Sequence, residues 1–374
     1  MYSRLLRNPL VSHDGISICN EKEWSNEREY LLRTAEEVMY GKWPGKPNSV
    51  TVISFEQEMC SILGVRSYIE HVVLRVNGIF SFKFSSVRPQ CANPIPTVVY
   101  NVDEDEDLMK AAAKVVTKGF GLVEYKREQI SPYKKGIIEK DKLFSPEFAA
   151  LNFSCGVIMA WAWAYTVIAD YLQNCAWCGK IIAAGHSRGG KTALCAGLYD
   201  DRYCIVAPIG SGCGGLGCAR FIGTCDGVMD DPSRCETIGR MATNFPYWMT
   251  DRYSEYGSCE KPYGIGDEVV KFPIDAHLLR AAIAPRAVIS SEGIEDDWCN
   301  PFGNQLCWQA AHSVFELLGV PQNNGFFIHN GKHEFSSSDW DALLAFVDYV
   351  NGNEKQIDGL NKPYFDIELS KYME

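Results

Sequence analysis

A serine, a histidine and a cluster of carboxylates, each where it could react, are the chemistry this sequence offers. Ser187 lies in Lys180–Leu194, where an apolar run suited to a buried strand ends at Gly185. From Arg188 onward, the spacing of Ala193, Leu194 and Gly197 suits a helix packed closely on a sheet. Gly185-x-Ser187-x-Gly189 on a strand, a sharp turn and a helix fits a nucleophile elbow, in which small neighbours let a strained serine expose its hydroxyl. The same turn puts the backbone N–H of Arg188 at a helix N-terminus, facing any oxyanion that forms beside Ser187. The bland alternative is a chance match in a glycine-rich loop, which the flanking strand and helix argue against. The chemistry implied is acyl transfer through a serine.

Such a serine needs a base and a group that orients the base. On an open α/β sheet the three follow the chain order serine, acid, histidine, the last two on loops after late strands. Four histidines follow Ser187: His277 precedes the late strands, His312 falls in a helical pattern and His329 lies inside the last strand. His333, in Asn330-Gly331-Lys332-His333-Glu334-Phe335, falls just beyond that strand and is the expected base. The acid belongs in the turn after the penultimate strand, Ser291 to Trp298, which carries Glu292, Glu295, Asp296 and Asp297. Asp296, three residues after Gly293, fits a Gly-x-x-Asp turn best. Glu295 and Asp297 remain rivals, and at least two of the four are expected to be solvated turn residues or caps.

The elements that must position these groups can be read in order. Residues 9–21 form an irregular arm, Glu21–Tyr40 is helical before the Gly41–Pro47 breaker, and residues 66–85 make two strands around Asn77-Gly78. Pro94–Val102 is a buried strand, and the acidic run Asp103–Asp107 reads as the solvated start of a helix over Leu108–Lys118. A strand at Phe120–Tyr125, a polar loop at 126–146 and a fully buried helix at Asn152–Ala169 follow. That last segment is long enough to suggest a membrane span, but Asp170 and a soluble-looking strand follow at once. Beyond the elbow come a strand at Tyr203–Ile209, a Gly- and Cys-rich loop at 210–235 facing the site, and helices at Glu236–Met249 and Asp275–Ile283. A strand at Arg286–Ser291, a helix at Phe302–Leu318, a strand at Gly325–His329 and a helix at Trp340–Tyr349 close the series. Strands joined by helical crossovers predict an α/β-hydrolase fold with a doubly wound, mostly parallel sheet. One domain is expected over 1–374: arm and helix to 65, catalytic core 66–352, tail 353–374.

A net charge of −11 argues against nucleic acid or an acidic membrane surface as a partner. The fifteen cysteines form no disulfide framework, which favours a reducing compartment; with no signal peptide pattern at Met1–Pro9, a cytoplasmic location is expected. Cys175-x-x-Cys178 has no second pair at zinc spacing and is read as two packed thiols. No metal and no cofactor are expected. The sequence leaves the oligomeric state open.

Gly185-His186-Ser187-Arg188-Gly189-Gly190-Lys191 resembles the Gly-Cys-Ser-Arg-x-Gly-Lys signature of glucuronoyl esterases, carbohydrate esterase family fifteen, especially their bacterial branch. The likeness extends through Glu36–Gly41, Ala160-Trp161-Ala162-Trp163, Ser211–Gly215 with Arg220, His277–Arg286, Asp297-Trp298 with Pro301, Gly331-Lys332-His333 and Asp339-Trp340. It implies metal-free hydrolysis, through an acyl-serine, of an ester between xylan-borne glucuronate and an alcohol. The resemblance gives Arg188, backbone and side chain, the oxyanion; Lys191 matches the lysine that binds sugar hydroxyls and Trp298 the tryptophan that covers the sugar. Without it, Lys191 reads as a surface lysine and Trp298 as a wedge under the turn. The chain departs from the family in four places. Gly210 stands where many members carry the catalytic glutamate, which turns attention to Asp296 or Glu295. His186 replaces a cysteine, Ala219 a tryptophan, and the sugar-binding glutamate expected before Asn244–Trp248 has no match. An acetyl xylan or other acyl esterase on the same machinery, or a catalytically weak carbohydrate-binding relative, are the alternatives.

Overall fold

Runs such as Ile95–Val102 and Tyr203–Ile209 are apolar on both faces, so they need helices above and below them. The computed structural model describes residues 4–103, 108–224, 227–228, 234–257, 267–352 and 358–374. Its main sheet begins with β1 (Val50–Ile62), β2 (Val65–Val76), β3 (Phe80–Pro89), β4 (Ile95–Val102), β5 (Gly121–Lys126), β6 (Cys178–His186) and β7 (Tyr203–Ile209). A separate ribbon pairs β8 (Gly223–Thr224) with β9 (Gly227–Val228), and β10 (Ala287–Gly293) and β11 (Asn324–His329) complete the main sheet. The nine strands lie in the order β1-β2-β3-β5-β4-β6-β7-β10-β11. Pairings up to β3·β5 are antiparallel and the rest parallel, so Ser187 follows a strand in the parallel half of the sheet.

The helices are α1 (Glu21–Ala35), α2 (Leu108–Thr117), α3 (Pro146–Ala149), α4 (Val157–Leu172), α5 (Arg188–Tyr199), α6 (Ile238–Asn244), α7 (Ala276–Ala281), α8 (Pro301–Leu317) and α9 (Ser337–Val350). Apolar residues of α2 and α9 bury one face of the sheet, and those of α1, α4, α5 and α8 the other. α4 is buried nearly all round, and among the described residues no helix is long and apolar enough to cross a membrane. The thirteen described cysteines are free thiols.

Three expectations need correction. Residues 50–62 belong to the sheet rather than to an arm: β1 is an edge strand exposed along almost its whole length, so it lacks the buried alternation that marks strands in a sequence. The helix expected over Glu236–Met249 covers only Ile238–Asn244, since Thr237 caps it and Pro246 follows; this frees Glu236 from any helix. The helix expected through Tyr40 passes into a π turn at Glu36–Tyr40. Of the acidic run, Asp103 accepts an ion pair from Arg127, and residues 104–107 lie outside the described residues.

Candidate active site

β6 ends at His186 and α5 starts at Arg188, leaving Ser187 between them at φ 56° and ψ −121°. Such a backbone costs a non-glycine residue on the order of 1–3 kcal/mol and persists only where the surroundings force it. Here they do. A Cβ on Gly185 would sit 2.1 Å from the Gly189 carbonyl oxygen, so the strand and helix meet closely only because Gly185 is bare, while a Cβ on Gly189 would sit 2.7 Å from Asn101 Oδ1. The Ser187 N–H donates to Ile209 O at 3.0 Å, tying the turn to β7. From below, Asn101 Nδ2 donates to Gly189 O at 3.0 Å while its Oδ1 accepts from buried Arg127 at 2.5 Å. Arg127 also pairs with Asp103 at 2.5 Å; burial works against the Asp103 charge, yet this guanidinium holds its carboxyl below the usual range.

Two distant side chains converge on the elbow. His333, in the loop after β11, has Nε2 at 2.9 Å from Ser187 Oγ and Nδ1 at 2.8 Å from Asp296 Oδ2. Asp296, in the turn after β10, is 4% exposed, and its other oxygen accepts from Cys299 N at 3.3 Å. The three other carboxylates of that turn go elsewhere. Glu295 is exposed, Asp297 pairs with Arg234, and Glu292 is buried on β10 beside Asn304. Burial, with the charges of Asp296 and Asp339, pushes Glu292 well above the carboxylate range. Ser187, Asp296 and His333 all follow the carboxyl ends of parallel strands, where open α/β sheets place their sites. Around them, Tyr100, Asn101, Asp103, Arg127, His186 and Arg188 enclose a cleft of about 220 Å³.

Lys191 is buried, not at the surface: its ammonium donates to Ser211 O and Glu236 Oε2, both at 2.7 Å. Glu236 is fully buried as well, and burial raises its pKa against the pull of Lys191. The Glu236 N–H donates to Trp298 O at 3.0 Å, and the half-buried Trp298 ring has Arg240 over it at 5.1 Å. Arg188 projects its guanidinium over Trp248, 5.3 Å from the ring centre. His186 packs on the His333 ring at 4.8 Å, and burial, reinforced by His333, lowers its pKa to about 3, so it stays neutral.

A family model for fungal glucuronyl esterases matches residues 74–319, about two thirds of the chain. The chain belongs to the glucuronoyl esterase family. It is thereby a carboxylic ester hydrolase with an α/β-hydrolase fold. Among curated relatives, it is similar to carbohydrate esterase MZ0003 of an unknown prokaryote, 25% identical over 92% of this chain and 89% of that one. It is also 26% identical to a 4-O-methyl-glucuronoyl methylesterase of Phanerochaete carnosa, over 93% of this chain and 82% of the relative. A glucuronoyl esterase from Caldicellulosiruptor kristjansonii superposes with a TM-score of 0.77 at 23% identity, over 98% and 96% of the two chains. A mutant of the Sporotrichum thermophile enzyme, solved with methyl 4-O-methyl-beta-D-glucopyranuronate, superposes at 0.71 and 20% identity, over 100% and 94%.

Against that family background, several site residues carry no signal of their own in the sequence. Glu236 meets Lys191 across 45 positions, and Arg127 and Asn101 brace the elbow from a loop and a strand with no motif. Cys299 is equally silent; its thiol donates to Gly210 O at 2.9 Å and lies 3.3 Å from His333 Nδ1. Among the described residues, two sets of donors cluster closely enough to hold a metal: Asp296, Cys299 and His333, and Cys218, Asp275 and Cys307. In the second, Asp275 is already engaged by the Ala219, Arg220 and Ala276 N–H groups and by the Arg220 guanidinium.

Proposed function

We propose that this glucuronoyl esterase hydrolyses esters of glucuronate, or of its 4-O-methyl derivative, carried on xylan-derived saccharides. The support is the continuous path Ser187 Oγ–His333 Nε2, His333 Nδ1–Asp296 Oδ2 at 2.9 and 2.8 Å, ending on a serine held at positive φ. In this mechanism Ser187 attacks the ester carbonyl and His333 takes its proton. Asp296 fixes the imidazole with its proton on Nδ1 and stabilises the imidazolium. The oxyanion is held by the Arg188 N–H at the start of α5, and the Arg188 side chain lines the same cleft. His333 then protonates the departing alcohol, and water, activated by the same nitrogen, releases the uronic acid from Ser187. On the acyl side, Lys191 with Glu236, and Trp298, form the part of the site that receives the sugar. Aromatic faces suit pyranose C–H surfaces, and a buried ion pair presents fixed polarity without mobile side chains.

The test is a comparison of benzyl glucuronate with an acetylated xylooligosaccharide. The reading expects the uronate ester to be hydrolysed with the larger kcat/KM, and Ser187→Ala to abolish turnover of both. Faster deacetylation would replace this substrate assignment, and turnover surviving in Ser187→Ala would remove the acyl-serine route.

A further inference from the structure

Beside the catalytic imidazole and its carboxylate partner lies a sulfur that ester hydrolysis does not use. His333 Nδ1 lies 2.8 Å from Asp296 Oδ2 and 3.3 Å from Cys299 Sγ, and the three donor atoms all fall within 4.8 Å of one another. Gly210 O, 2.9 Å from the same sulfur, adds a backbone oxygen. Cys299 and Asp296 are held in place by the backbone of the turn at 296–299, and the exposed His333 ring, on its loop, is the door to them. One nitrogen, one carboxylate oxygen and one sulfur at these separations suit a tetrahedral zinc-type ion, whose bonds of about 2.0–2.3 Å need only small adjustments of such neighbours.

We infer that Asp296, Cys299 and His333 form an inhibitory binding site for a thiophilic divalent cation of the zinc class. Proton bookkeeping makes the site inhibitory. The ion takes the Nδ1 lone pair, so the imidazole proton moves from Nδ1 to Nε2, and the Cys299 thiol loses its proton to solvent. A protonated Nε2 cannot accept the proton of Ser187, and Asp296 ligates the ion in place of the imidazole. Burial and the neighbouring Asp296, Glu292 and Glu236 charges disfavour a bare Cys299 thiolate, and the charge of the ion reverses that preference.

The inhibitory consequence rests on the esterase reading, whereas occupation of the site does not. Binding is therefore tested in Ser187→Ala, which cannot turn over. Titration of that protein with Co²⁺ is expected to produce thiolate-to-cobalt charge-transfer absorption that Zn²⁺ abolishes. Cys299→Ser or His333→Ala, each added to Ser187→Ala, should remove it; His333 is exposed and on a loop, so that variant keeps the test valid if loss of the buried thiol harms folding. In the active enzyme, Zn²⁺ should inhibit reversibly by chelation. Each rate being compared with its own metal-free value, Cys299→Ser should need about tenfold more Zn²⁺ or above, the scale of losing a metal-site interaction. Cobalt spectra unchanged by both substitutions, or no cobalt band at all, would overturn the site. A band that depends on Cys299, alongside a wild-type protein that hydrolyses no ester, would uphold the site and remove only the functional reading.

Discussion

Two histidine–carboxylate pairs stand four residues apart at the end of β11, and they do different work. His333 meets Asp296 through Nδ1 and leaves Nε2 facing Ser187, with its side chain 35% exposed. His329 donates from Nε2 to Asp339 at 3.0 Å, its Nδ1 lies 3.0 Å from Asn330 O, and its ring is only 9% exposed. Asp339 in turn accepts from Ser291 Oγ, Ser336 N and Ser336 Oγ, so one carboxylate gathers β10, the end of β11 and the cap of α9. The loop that bears His333 runs between these fixed points. A serine lies beside each pair, and what separates them is whether a ring nitrogen is left free toward a cleft. The buried pair clasps the loop, and in the proposed mechanism the exposed pair is the one that reacts.

Removing each element should break the contrast in order. Ser187→Ala is expected to lower kcat by about 10⁴-fold or more with little change in melting temperature, measured on benzyl glucuronate. Asp296→Asn should lower kcat about a hundredfold or more by losing the tautomer that presents Nε2 to the serine. If Glu295→Gln has that effect instead, the role assigned to Asp296 fails. Asp339→Ala should act on stability first, lowering the unfolding free energy by about 3 kcal/mol in urea titration, because it strips partners from a buried ring and two hydroxyls. Should Asp339→Ala leave stability intact and reduce only kcat, the division of labour between the two pairs would fall.

Much of this division is legible in the sequence, and the reason is local. Gly185-x-Ser187-x-Gly189 requires a bare strand–helix contact, a demand met by residue type alone, and the place of His333 beyond a strand that still contains His329 separates the two histidines by position in the chain. The turn at Ser291–Trp298 is equally visible, but its four carboxylates differ only in direction, and direction depends on how β10 pairs with β11. Lys191 reads as a surface residue until Glu236, 45 residues away, is folded against it. Arg127 and Asp339 owe their roles to packing between distant elements, and no periodicity encodes that. β1 is hidden for the opposite reason: it is regular in backbone but buries almost nothing.

The smallest effect sharpens the comparison through pH. Burial alone would lower the pKa of His329, but the hydrogen bond and charge of Asp339 outweigh it and raise the value above the ordinary 6.5 or so, while the same contact holds Asp339 low. A raised pKa means that the folded protein binds the proton more tightly than the unfolded chain. The stabilisation is therefore complete below about pH 6.5 and is lost as pH rises through the folded value of His329. On the acid side it fails only when Asp339 takes up a proton, below the ordinary carboxylate range near 3.9. Urea titrations of the wild type and His329→Gln should differ by about 1 kcal/mol at about pH 5.5, the net scale of one intramolecular hydrogen bond, and the gap should narrow by about pH 8.5. A gap that widens with pH would mean that His329 is buried neutral, leaving Asp339 to hold the catalytic loop through the serines alone.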